Sequence, residues 1–342
     1  MRRAALPLLF GFLGVGFAVL WAVAVGASPM PSYLAAWMVW AGLPIGALTL
    51  LLVLEIGGGV ALAGLVPALR LLALGMPLAA VLFIPVLLRL PALYPWLGGA
   101  TVAAPFGKAW LQPGAFVVRA IVMLLILSAL ALLFAAERPP GQRRAAALLG
   151  LFVLSLVTTL AATDWFMSID PRLHSGEFGL LVLGLDCAVA TAAAILLGAG
   201  PVRAGALLLA GLSAAWLYLH FIQYLVVWSA DLPPEAAWYL ARDHGAGRAI
   251  EWVIAIDGAA LPVLLLLLPV RLQAIGLPVV AALALLAHMA EALWLVTPAA
   301  RHRFSLTGPD VLMVLGLGGI ALGLALLRRL PPVVAAPRRG LA

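Results

Sequence analysis

Long apolar runs with almost no charge recur from one end of this chain to the other. Each is close to the ~20 residues a helix needs to cross the hydrocarbon of a bilayer. Of the 342 residues, 65% are hydrophobic and only 10% are charged, against roughly a quarter charged in a soluble domain. One soluble core cannot hide that much apolar surface, whereas lipid can. In lipid the backbone must satisfy its own polar groups, which leaves helices and closed barrels. Alternating segments of about ten residues, the mark of a barrel, are absent. The expected fold class is an all-α integral membrane protein with about ten spanning helices.

The runs place spans at 6–26, 33–54, 68–88, 115–136, 145–163, 176–199, 203–228, 249–269, 274–296 and 309–328. Helices 2–5 (33–163) and 6–9 (176–296) can form two comparable four-helix groups, with helices 1 and 10 at the periphery of a single membrane domain, 1–342. An even number of spans puts both termini on one side, and the positive-inside rule selects it. With both termini cytoplasmic, the inner side holds Arg2, Arg3, Arg70, Arg138, Arg143, Arg144, Arg203, Arg271, Arg328, Arg329, Arg338 and Arg339, the majority of the 20 Lys and Arg residues. Arg2, Arg3 and Val25-Gly26-Ala27 mimic a signal peptide, but Ala4 to Val25 is longer than the usual apolar region of about 7–15 residues. The stretch reads as a retained helix.

The outer connections, 89–114, 164–175, 229–248 and 297–308, are the longer ones. Tyr94, Trp96, Trp110, Trp165, Phe166, Trp228 and Trp238 within them read as an aromatic belt at the headgroups. Within 229–248 a short surface helix is expected, with Asp231 as its cap, Pro233 and Pro234 in its first turn and Gly245 at its end.

The net charge of +7 is spread over short loops, so it does not point to nucleic acid. The one cysteine, Cys187, lies in an apolar run. That excludes an internal disulfide, a Cys-rich iron–sulfur site and a C-x-x-C-H haem attachment in this chain.

Ionisable residues inside spanning helices are costly and mark a cavity or a partner. Asp186, His220, Asp257, His288 and Glu291 are of this kind. Counting from the outer ends of helices 6 to 9 puts them roughly 8–15 Å deep, in one layer. Trp216, His220, Gln223 and Tyr224 fall on one helical face, as do His288 and Glu291. The expectation is a cavity lined by His220, Asp257, His288 and Glu291, with Asp186 at its deeper edge. Interhelical pairing without further function is the plainer alternative. The inner half of these helices offers only Thr191 and Ser213, which favours a site that opens outward. Glu55, beside Gly57-Gly58-Gly59, is a candidate proton entry point at the inner end of helix 2. His220 and His288 also have the placement of a bis-histidine haem pair, although one such pair is a weak signal. No phosphate-binding glycine loop, nucleophile elbow or H-E-x-x-H occurs.

Certain stretches are more specific. They are Thr163-Asp164-Trp165-Phe166-Met167-Ser168-Ile169-Asp170-Pro171 continuing to Phe178-Gly179-Leu180-Leu181; Phe221-Ile222-Gln223-Tyr224 through Trp228-Ser229-Ala230-Asp231-Leu232-Pro233; Trp238-Tyr239-Leu240; Leu93-Tyr94-Pro95-Trp96; and Lys108-Ala109-Trp110. Together they resemble the F-type membrane subunit of bacterial alternative complex III, a quinol:electron-acceptor oxidoreductase. The wider group is similar to the membrane subunits of polysulfide reductase. The resemblance implies ten helices in two four-helix bundles, a place in the bacterial inner membrane, and a role in quinol oxidation or proton movement. It implies partner membrane and periplasmic subunits that carry the haem and iron–sulfur groups, leaving this chain with no covalent cofactor and quinol or quinone as its candidate ligand. The chain departs from the family pattern at Val202-Arg203-Ala204-Gly205-Ala206, where a polar stretch is usual.

On this reading the chain is a non-haem subunit of a quinol-oxidising complex. Asp186, His220, Asp257, His288 and Glu291 are proton-handling groups, and Gln223 and Tyr224 hydrogen-bond a quinone oxygen. Two other classes remain: a secondary transporter or proton channel, which needs midplane polar groups and discontinuous repeats, and a structural anchor for peripheral redox subunits.

Overall fold

The computed structural model describes residues 2–58, 60–98, 110–136, 143–198, 200–231 and 233–327. Gly59, Lys108, Ala109, Arg138, Leu232, Arg328, Arg329, Arg338 and Arg339 lie outside the described residues, as do the side chains of Arg2, Arg3, Pro234 and Asp257. Among the described residues every regular element is helical. The long helices are α1 (Arg2–Ala24) and α2 (Met30–Gly57), then, after the short α3 (Val66–Ala73), α4 (Met76–Leu82) and α5 (Ile84–Leu88), α6 (Pro113–Ala135), α7 (Arg144–Trp165), α8 (Phe178–Leu196) and α9 (Val202–Ala230). There follow α10 (Pro233–Leu240), α11 (Ala246–Val253), a π turn (Ile254–Ala260), α12 (Leu261–Leu265), α13 (Val270–Arg301) and α14 (Gly308–Leu327).

Nine helical stretches among the described residues are long and apolar enough to cross a membrane, with Leu62–Leu88 counted as one. The chain has the build of a multi-pass membrane protein. The expected span 249–269 is not one of the nine. It is helical from Ala246 to Leu265, but as α11, the π turn and α12. Pro262 has no N–H to give the carbonyl of Gly258, and just before it the ladder shifts, so that Leu261 N–H bonds the carbonyl of Ile256. The expected single helix 68–88 is likewise broken into α3, α4 and α5, each carrying a proline near its start: Pro67, Pro77 and Pro85. Carbonyls near these breaks are taken by side chains of α2. Trp37 Nε1 donates to Ala79 O at 2.8 Å and the Tyr33 hydroxyl to Leu82 O at 2.7 Å.

The buried centre is formed by α2, α8 and α13, which pack on one another. α3, α4, α6 and α7 pack on one side of α2. On the other side α9, the π turn and α12 pack on one another and on α13, and α9 also lies along α8. α1 and α14 form a close pair held to α2 through α14. The contact of α2 with α8 is made possible by Gly42 and Gly46: a Cβ on Gly46 would lie 1.9 Å from the carbonyl oxygen of Asp186. Leu, Val and Phe side chains on the outward faces of α1, α6, α7, α9 and α13 are exposed, as a lipid-facing surface requires.

The surface helix in 229–248 is α10, with its ends set differently from the expectation. Asp231 stands at φ +49° and closes α9, its N–H bonding Val227 O. α10 stops at Leu240, and Gly245, at φ +54°, precedes α11 instead of ending α10. The turn between them is locked by Arg242, which is fully buried. Its guanidinium donates to the carbonyls of Trp238 (2.7 Å), Trp294 (3.0 Å) and Leu295 (2.8 Å), and stacks 3.6 Å from the Trp238 ring. The reason lies in α13. Pro298 has no N–H for the carbonyl of Trp294 four residues earlier, and Arg242 supplies the missing donor. Burial draws the Arg242 guanidinium down to about 9, still cationic at neutral pH. Arg242→Leu should lower stability by about 3 kcal/mol, since three carbonyls lose a charged donor. Arg242→Lys, with one ammonium in place of a fork, should fall between the two, as read by thermal unfolding in detergent.

Candidate functional site

Three of the ionisable residues come together. Glu291, one turn after His288 on α13, is fully buried and faces α9. Its Oε1 accepts from His220 Nε2 at 2.8 Å and from Trp216 Nε1 at 3.0 Å, and its Oε2 accepts from His288 Nδ1 at 3.0 Å. The Trp216 ring sits between the imidazoles, 4.4 Å from that of His220 and 5.1 Å from that of His288. An indole can only donate, and a neutral imidazole has one N–H. The network therefore assigns the N–H of His220 to Nε2 and that of His288 to Nδ1. It leaves His220 Nδ1 and His288 Nε2 as bare acceptors. His288 Nε2 is buried without a partner, and the ring lies against Gly258 in the π turn, where a Cβ would be 3.3 Å from Cε1.

His220 is the member that opens outward, with about 19% of its side chain exposed. It lies on the wall of a cleft of about 1130 Å³, lined by α9, α10, α11 and the start of the π turn. Leu217, Phe221, Tyr224, Val227 and Trp228 of α9 form one wall, Trp252, Ile254 and Ala255 the other, and Tyr239, Leu240 and Trp294 also line it. Much of the lining is apolar, and Leu217, Phe221, Tyr224, Trp228, Leu240 and Trp252 within it are exposed at the helix surface. Its rim is charged: Asp231, Glu251 and the pair Asp243–Arg248, joined at 2.6 Å. The Arg248 hydrogen bond holds the Asp243 carboxyl below its ordinary range.

The remaining expected residues are distributed as follows. Tyr224 lines the cleft and meets Tyr239 edge to face at 5.5 Å. Gln223 is buried and turned to Ser175, whose hydroxyl lies 3.4 Å from its Oε1, so it does not share the cleft face with His220. The backbone of Asp257 is in the π turn beside Gly258. Asp186 does not reach this cleft at all. It faces a separate, narrow cavity between α2, α6, α7 and α8. Glu55 accepts the backbone N–H of Arg143 at 3.1 Å, which ties the end of α2 to the start of α7. Both imidazoles converge on Glu291 and not on each other, which is not the face-to-face placement of haem ligands. Among the described residues no group of three or more His, Cys, Asp or Glu is placed to hold a metal ion.

The most motif-like stretch proves to be a clasp. Asp164 takes Arg119 Nε at 2.8 Å and Trp110 Nε1 at 2.7 Å, and Arg119 lies over the Trp110 ring. Asp170 is gripped by Arg172 through two 2.8 Å bonds. The first set fastens the end of α7 to α6, and the second lies in the connection from α7 to α8.

No family model matches the chain, and no curated protein matches it. On the side of the Glu291 cluster away from the 229–248 connection, Ala192, Ile195, Ala206, Leu209, Leu265, Leu277 and Ala281 close α8, α9, α12 and α13 with an apolar plug. The cluster thus faces the cleft on one side and hydrocarbon-like packing on the other.

Proposed function

We propose that the cleft receives a lipid-soluble quinol and that the chain is a non-haem membrane subunit of a quinol:electron-acceptor oxidoreductase of the bacterial inner membrane. One observation carries this reading: a large, mainly apolar cleft with a carboxylate-backed imidazole on its wall. The residue pattern that resembles the F-type membrane subunit of alternative complex III supports it independently. Quinol oxidation supplies two electrons and two protons, and the electrons pass to groups held by partner subunits.

What this chain contributes is proton acceptance and positioning. His220 Nδ1 is the bare nitrogen beside the cleft, so it accepts a hydroxyl proton. Glu291, fixed by Trp216 and His288, orients the ring and offsets the charge of the imidazolium that results. Tyr224 offers a hydroxyl on the same wall to a second ring oxygen. The apolar walls take the tail. The same reading divides the spans into two bundles, α2–α7 and α8–α13, with α1 and α14 outside. The apolar plug argues against a channel through the second bundle.

A photoreactive quinone analogue, added to the complex purified in mild detergent with its partners, should label the segment 217–228 or 252–255, and excess quinol should suppress the labelling. Labelling confined to partner chains would overturn the assignment, and a preparation without redox partners would favour the transporter reading.

For topology, we propose cytoplasmic termini. The native Cys187 is buried, so single exposed cysteines report cleanly. An impermeant thiol reagent on intact cells should label His244→Cys and not Arg144→Cys; the reverse pattern inverts the orientation.

A further inference from the structure

Asp186 is a carboxyl that the cleft does not use. It is buried on α8, and no hydrogen bond serves it among the described residues. Its carboxyl borders a cavity of about 20 Å³ whose lining residues, among them Trp37, Gly42, Thr158 and Trp165, are all buried. That is space for about one water. Trp165, at the end of α7, also lines this cavity, and its indole N–H is buried and has no partner. Thr158 donates its hydroxyl to Leu154 O at 2.8 Å, which leaves its oxygen free to accept.

Room for the carboxyl is made by α2. A Cβ on Gly42 would stand 2.5 Å from Asp186 Oδ1, so any larger residue there would push the carboxyl aside. Two residues that line one water-sized cavity thus carry an unpaired donor and an unpaired acceptor, and buried polar groups are nearly always satisfied by protein or by ordered water. A metal cation does not suit it, since there is one carboxylate and an indole N–H whose hydrogen would repel a cation. Among the described residues, α2, α6 and α7 present no other ionisable side chain to the cavity. The charge that acts on Asp186 from a neighbouring element is that of Glu291 on α13.

We propose that this cavity is a binding site for a single water, which accepts from Trp165 Nε1 and donates to Asp186, and that Asp186 is thereby a proton-binding group separate from the Glu291 cluster. Protonation forms one O–H bond on the carboxylate, the proton coming from the acid added in the titration, and the water then turns to accept from that O–H. The proposal stands whatever occupies the cleft.

Infrared acid-minus-base difference spectra of the full chain in nanodiscs test it. The spectrum should contain a buried carboxylic C=O band that Asp186→Asn removes and that Trp165→Phe displaces, because the water loses its donor while the carboxyl stays. If Asp186→Asn does not fold, Asp186→Glu should move the same band. A band that ignores Trp165→Phe, or the absence of any band assignable to position 186, would overturn the proposal.

Discussion

Glu291→Ala should leave almost no folded protein in the membrane, while Glu291→Gln should accumulate normally and turn over slowly. The alanine variant removes the acceptor for three donors on two helices, the buried Trp216 Nε1 and His288 Nδ1 and the part-buried His220 Nε2. Single interhelical hydrogen bonds in membranes contribute about 0.6 kcal/mol on average. Stranding three donors around a void costs more than their sum of contributions, about 3–5 kcal/mol by the behaviour of broken buried pairs. Glutamine keeps the volume. Its carbonyl accepts from Trp216 and His220, and its amide can donate to His288 Nδ1 once that imidazole carries its proton on Nε2. What it lacks is the negative charge that offsets an imidazolium at His220. Quinol turnover by the assembled complex should therefore fall roughly 10²–10⁴-fold, the range of general acid–base contributions, with subunit content unchanged. Unaltered turnover in the glutamine variant would reduce the cluster to a helix–helix fastening. The two measurements, yield by quantitative blotting and rate per complex, separate those roles.

Level along the helices was legible from sequence, and azimuth was not. Counting along helices put Asp186, His220, Asp257, His288 and Glu291 in one layer, and His220, His288 and Glu291 are in contact. Asp186 faces α2, because Gly42 and Gly46 let α2 approach α8 closely and claim that side of it. Three residues along from His220, Gln223 turns to Ser175, since a helix in a bundle has neighbours on more than one flank and spacing alone does not name them. The breaks at Pro67, Pro77 and Pro85 were visible as residues but lay inside a run apolar enough to read as one span. In the π turn the change is one of hydrogen-bond period, which hydropathy does not register. Nothing in the sequence around Arg242 marks it for burial. Its burial depends on a carbonyl freed by Pro298, 56 positions later, and only the packing of α13 on α11 brings the two together. The N–H donors missing at prolines were the available signal, but they do not say which side chain replaces them.

Gly46→Ala should be the most damaging single methyl in the protein. The added Cβ would stand 1.9 Å from the carbonyl oxygen of Asp186, 2.3 Å from its carbon and 2.8 Å from the nitrogen of Cys187. All three are backbone atoms of α8, so no rotamer change relieves the clash. Either α2 and α8 move apart, or the substitution is not accommodated. Both helices belong to the buried centre and each also packs on α13, so a separation propagates to the Glu291 cluster and to the Asp186 cavity. Overpacking of this kind costs about 1–3 kcal/mol, occasionally more, and the upper end is expected here because the obstruction is main chain. Gly16→Ala is the matched control: that glycine is also in a helix, but a Cβ there meets nothing within 4 Å. Replacing it should stabilise α1 slightly, by up to about 1 kcal/mol. Thermal unfolding of the two variants in the same detergent should thus shift in opposite directions. If Gly46→Ala unfolds with the wild type, the close α2–α8 approach is not what holds the centre together, and the separate Asp186 cavity loses its structural basis as well.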